Sequence, residues 1–232
     1  MRILAVETST LAGGAALLDG DRLLGEYTVN IRTTHSERLM TAMDHLLHDC
    51  GWEPGDLEGM AVSIGPGSFT GLRIGVSAVK GLALALGIPV AAVPTLDALA
   101  ATLPFAADPV CPVLDAKKGE VYASLYHWAE GTMLRDWEYL ALPPEALCDR
   151  LEGPVIFVGD AVDTLGGLLA ARLGGKARFT PAGRRLPSPA CVGALGHAFL
   201  LAGRTVDAAA LTPLYLRPSE AELRRRRAVL VP

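Results

Sequence analysis

The stretch from Ser63 to Leu86 constrains this chain more than any other: an apolar segment, a Gly65-Pro66-Gly67 turn, then a long run with helical spacing. Gly65 and Gly67 allow backbone angles around Pro66 that other residues resist. Ser68 stands where an N-cap belongs, and Gly87 with Pro89 stops the run. The pattern predicts a strand over 60–64 and a helix over 69–86. On that helix Leu72, Val76, Val79, Ala83 and Leu86 form one apolar face. Gly71, Gly75, Ala78 and Ala85 form a second stripe of small residues, and Leu82 joins the two faces. Arg73, Ser77 and Lys80 make the polar strip. A helix apolar over most of its girth is covered on two sides. Glycine inside a helix costs roughly 1 kcal/mol against alanine, so a close packing partner is expected.

The rest of the chain reads as alternating elements. Arg2–Glu7, Gly14–Asp19 and Arg22–Ile31 are strands, with Asp19-Gly20 as a hairpin turn. Thr34 and Glu37 have capping-box spacing, and the helix they open places Leu39, Met43, Leu46, Leu47 and Cys50 on one face. A strand over Ile88–Val93 and a short helix from Thr95 to Ala101 complete a βββαβαβα unit. Two prolines in residues 103–109 mark a junction. The pattern then restarts, with strands at 110–114, 121–127 and 133–140, a helix at 143–151, a strand at 155–158, a helix at 161–173, a short strand at 176–179 and a helix at 188–201.

Composition narrows the classes. The chain has 232 residues, half of them hydrophobic and a fifth charged, with net charge −4. That suits a globular protein and gives no global attraction to nucleic acid. Cys50, Cys111, Cys148 and Cys191 lie far apart, which predicts free thiols in a reducing compartment. No signal peptide is read at the start, and Arg73 and Lys80 interrupt the longest apolar run, so the expected location is cytoplasmic with no membrane partner. His45 and His48 lack H-E-x-x-H spacing and read as surface histidines. His127 and His197 stand alone. The Gly-Pro-Gly loop is not G-x-x-x-x-G-K-[ST], and no nucleophile-plus-base pattern supports proteolysis. Arg224–Arg227 reads either as a phosphate-contacting run or as a solvated tail.

Three segments carry a resemblance: Glu7-Thr8-Ser9, Thr34-His35-Ser36-Glu37-Arg38-Leu39 and Ser63–Gly75, with a further match at Pro213-Leu214-Tyr215-Leu216-Arg217. Together they resemble the bacterial TsaB (YeaZ) family. The resemblance implies an ASKHA-type α/β fold with two tandem RNase H-like βββαβαβα halves, here residues 1–103 and 104–206, and a tail, 207–232, that packs back on the first half. It implies a non-catalytic subunit that pairs with the catalytic paralogue TsaD and helps recruit the ATPase TsaE. The complex transfers a threonylcarbamoyl group to adenosine 37 of tRNAs that read codons beginning with A. The paralogue carries an H-x-x-x-H metal pair where this chain has His35 and Leu39, so the pair is incomplete here.

In ASKHA proteins the turns at Glu7-Thr8-Ser9 and at Asp115–Gly119 face each other around ATP. This family resembles a form that has lost most nucleotide contacts, so Glu7, Thr8, Ser9, Asp115 and Gly119 are expected to line a vestigial cleft. The chemistry alone also fits ordinary strand-ending turns. No cofactor and no metal are expected. The partner surface is expected on the first two helices, at His35, Leu39, Met40, Met43, Gly71, Ile74, Gly75, Ala78 and Leu82, with a homodimer in isolation and the paralogue replacing one copy. The alternatives are a stand-alone ASKHA-type kinase or transferase and, more weakly, a peptidase.

Overall fold

The computed structural model describes residues 1–31 and 35–217, His35 by its backbone only. The Thr34 cap and the Arg224–Arg227 run fall outside these residues. The first half contains β1 (Arg2–Glu7), β2 (Ala12–Asp19), β3 (Arg22–Asn30), α1 (His35–Asp49), β4 (Gly59–Gly65), α2 (Phe69–Leu86), β5 (Val90–Pro94) and α3 (Thr95–Ala100). The second contains β6 (Val110–Lys117), β7 (Glu120–Ala123), β8 (Tyr126–Ala129), β9 (Thr132–Arg135), β10 (Leu140–Leu142), α4 (Pro144–Asp149), β11 (Val155–Val158), α5 (Ala161–Leu173), β12 (Ala177–Phe179) and α6 (Pro189–Leu201).

The two sheets repeat one topology. The first runs β3-β2-β1-β4-β5 and the second β10-β7-β6-β11-β12, so corresponding strands hold corresponding places. In each, the first two strands pair antiparallel, and a later strand, β4 in the first half and β11 in the second, joins the first in parallel. The strands expected at 121–127 and 133–140 are each broken in two. The break falls at Ser124-Leu125: Ser124 Oγ donates to the Trp137 carbonyl at 2.7 Å, and the Asp136 N–H donates to the Leu125 carbonyl at 2.8 Å. Beyond it, β8 and β9 form a hairpin that joins the second sheet by pairing β8 with β6, and its turn puts Glu130 and Gly131 at φ 54 and 76. Such a primed turn matches the twist of adjoining strands.

Strand alternation assigns the faces of the first sheet. Leu4, Val6, Met60 and Val62 point to one side, where Leu39, Met43, Leu46, Val76, Val79 and Ala83 of α1 and α2 meet them. Ile3, Ala5, Ala61 and Ala91 point to the other side, together with Val192 and Leu200 of α6. The helix over 188–201, expected with the second half, therefore covers the first sheet. Small residues make this possible: a Cβ on Gly193 would meet Leu18 Cδ1 at 2.3 Å, and one on Gly196 would meet Ala61 Cβ at 2.3 Å. Helix α3 is shared in the same way. Its Ala98 packs with the first-sheet cluster, and its Leu96 and Leu99 pack with Val110, Leu114, Tyr126 and Val158 of the second half. Asp97 ties the joint, accepting hydrogen bonds from the hydroxyls of Tyr126 at 2.7 Å and Tyr139 at 2.8 Å.

The described part of the tail touches both halves, Arg217 pairing with Glu120 of the second. Val206 bridges to Val90, and Ala208 and Leu211 enter the α1/α2 core.

Candidate functional site

The turn after β1 is sealed by the loop before α2. The Ser68 N–H donates to the Ser9 carbonyl at 2.6 Å, and Ser68 Oγ accepts from the Gly71 N–H at 3.3 Å as the expected cap. Thr8 Oγ1 donates to the Gly71 carbonyl at 2.8 Å. A Cβ on Gly67 would lie 2.4 Å from the Ser9 carbonyl oxygen, and one on Gly75 would lie 2.2 Å from Thr8 Oγ1. These glycines serve the close approach of α2 to the end of β1. Gly71 and Gly75 are buried against Thr8, so they cannot admit a second subunit, contrary to the sequence reading.

Glu7 sits beneath this turn with no cation beside it. One carboxylate oxygen accepts the Ser9 N–H at 2.5 Å. The other, together with the hydroxyls of Ser9, Ser63 and Thr95, is buried without a hydrogen bond. Burial raises the Glu7 carboxyl above its ordinary range, and the nearby Ser9 and Ser63 groups offset only part of that rise. An acid in such a setting favours its neutral form and holds a magnesium ion poorly.

The matching turn in the second half is built differently. Lys117, Lys118 and Gly119 have φ of 63, 56 and 79. The Asp115 N–H donates to Asp160 Oδ1 at 3.1 Å, and Asp115 accepts the Lys117 N–H at 2.7 Å and pairs with Lys117 Nζ at 2.6 Å. Burial raises the Asp160 carboxyl, with the Asp115 N–H acting in the opposite direction. Each end of Asp115 is thus engaged inside the chain. Among the described residues, no three His, Cys, Asp or Glu side chains come together as a metal site. His127 Nδ1 lies 2.7 Å from Asp136 Oδ1.

The outer face of α1 and α2 is the other candidate. By length and composition alone α2 is apolar enough to cross a bilayer, yet only 33% of it is buried. Its inner face packs on the sheet through Leu72, Val76, Val79 and Ala83. Its outer face carries Thr70, Arg73, Ser77, Gly81, Leu84 and Ala85, flanked by half-buried Ile74, Ala78 and Leu82. Leu84 is 56% exposed, and Met40 on α1 is 53% exposed. Leu39 and Met43, also expected on the partner surface, are 3% and 2% exposed and belong to the core. The sequence reading missed Gly81 and Leu84. A Cβ on Gly81 would meet nothing within 4 Å, so no contact among the described residues explains a glycine there. The signal that finds it is a mid-helix glycine on the side opposite the core face.

A repeated five-stranded topology with helices shared between its halves defines the class: a two-half α/β protein of the ASKHA kind. Similarity to known proteins sharpens that. A family model described as TsaD, tRNA N6-adenosine threonylcarbamoyltransferase, matches residues 24–223. The tRNA threonylcarbamoyladenosine biosynthesis protein TsaB of Bacillus subtilis is 36% identical, with 96% of each chain covered. The protein of that name from Escherichia coli is 34% identical over 66% of this chain and 67% of its own. The solved structure of YeaZ from Pseudomonas aeruginosa superposes with a TM-score of 0.78 at 29% identity, covering 93% of this chain and 99% of that one. The chain belongs to the TsaB (YeaZ) family.

Proposed function

We propose that the chain is a non-catalytic subunit of the machinery that forms N6-threonylcarbamoyladenosine on tRNA, and that the outer face of α1 and α2 is where it docks. The observation that carries this is α2 itself, a long apolar helix of which only a third of the residues are fully buried, with Leu84 and Gly81 on its exposed side. A soluble chain rarely leaves such a face open unless a partner covers it. The docking residues are Met40, Ile74, Ala78, Gly81, Leu82 and Leu84. The partner is a TsaD-type paralogue of the same fold, and a second copy takes its place in isolation. Recruitment of a TsaE-type ATPase, approach to tRNA through the complex and a cytoplasmic location complete the reading. His35 remains a candidate contact, its side chain lying outside the described residues.

The non-catalytic assignment rests on the two turns. The Ser68 N–H at the head of α2 is bonded to the Ser9 carbonyl rather than free for a phosphate, and Leu39, four residues after His35, is a core residue rather than a ligand. Glu7, Thr8, Ser9, Asp115 and Gly119 form a vestigial cleft in this reading. Depleting the chain from its native cells and weighing tRNA nucleosides by mass spectrometry tests the function. Loss of threonylcarbamoyladenosine is expected; an unchanged level contradicts the proposal.

A further inference from the structure

We infer that residues 211–217 form a strap that ties the two halves together through the helix that opens at Phe69. The segment is anchored at its start, where Leu211 is buried in the α1/α2 core and Lys80 Nζ donates to the Ala209 carbonyl at 2.6 Å. It then crosses the loop that seals the first turn. The Leu214 N–H donates to the Ile64 carbonyl at 2.7 Å, and a Cβ on Gly65 would come within 2.7 Å of the Leu214 carbonyl oxygen. Tyr215 stacks on Phe69 with ring centroids 4.8 Å apart, and Arg73 caps the stack, lying 3.9 Å above the Phe69 ring and donating from Nε to the Tyr215 hydroxyl at 3.0 Å. At roughly 100° per residue, Phe69, Arg73 and Lys80 fall on one line along α2, so the helix presents a single rail to the strap.

The far end reaches the other half. Arg217 Nη1 pairs with Glu120 Oε2 at 2.7 Å, and both side chains are partly buried, which reduces screening. Glu120 pairs with Lys117 across the turn where Lys117, Lys118 and Gly119 adopt left-handed backbone angles. The strap therefore runs from the sealed first turn to its counterpart in the second half. A short segment fixed at both ends makes each anchor sensitive to the other.

Hydrogen exchange on the full chain tests this. Tyr215→Ala removes the aromatic anchor on α2, and Arg217→Glu removes the second-half ion pair. Each is expected to speed exchange at the Leu214 amide and at the 117–120 turn together, by about fivefold or more, as a local opening does. Glu120→Arg combined with Arg217→Glu is expected to restore both sites, which guards against a variant that simply misfolds. The inference is overturned if Tyr215→Ala leaves the 117–120 turn at the wild-type rate, if Arg217→Glu leaves Leu214 unchanged, or if the charge swap restores neither site.

Discussion

Glu7 shows how the chemistry of a carboxylate at a strand end depends on how far its surroundings close over it. Its carboxyl is buried beneath the Ser9 turn, faces hydroxyls rather than cations, and is raised by burial. The sign of the linkage follows from that. A folded-state pKa above the unfolded one means that the folded chain holds the extra proton. The stability from the neutral acid is complete below the unfolded value and is lost as pH rises through the folded one. Glu7→Gln keeps the shape and removes the charge. Its urea midpoint is expected to match the wild type near pH 4 and to exceed it increasingly toward pH 8. Urea titrations across that range check this, and a constant difference between the two proteins contradicts it. Gly75 gives a second lesson at this scale. The residue pattern marks it as an unusual helix glycine, but pattern alone cannot tell which neighbour requires the space. Thr8 requires it, so Gly75→Leu strikes folding rather than association.

At the scale of elements, α2 was legible in the sequence from end to end. Its cap, its stop at Gly87 and its core stripe all follow from local chemistry and helical period. The side of the helix left bare was not legible, because two stripes that both look apolar differ only in what the tertiary fold puts against them. Gly81 separates these cases. With open space where its Cβ would sit, Gly81→Ala is expected to raise the stability of the isolated chain by ~0.5–1 kcal/mol through helix propensity alone. Thermal unfolding at low protein concentration measures it, and a loss of stability would show a packing role inside the chain. The broken strands of the second half were hidden for another reason. Strand formers flank the break on both sides, at Val121-Tyr122 and Tyr126, and the bonds that tie Ser124 and Leu125 to Trp137 and Asp136 take the place of the ladder between them.

At the scale of the whole molecule, the two halves exchange cover. Helix α6 comes from the second half and lies on the first sheet, while α3 is wedged between both. Element order revealed the duplication, but order carries no information about which sheet a closing helix crosses. Such sharing ties the halves together and leaves the outer side of α1 and α2, with Met40 and Leu84 exposed on it, as the proposed docking face. Sedimentation of the chain alone and with its TsaD-type paralogue, comparing wild type with Gly81→Leu and Leu84→Glu, tests that face most directly. Both variants alter exposed positions, so both are expected to fold normally yet associate more weakly by over ~1 kcal/mol, roughly fivefold or more in the dissociation constant. Wild-type association by both variants, with itself and with the paralogue, would contradict the docking face.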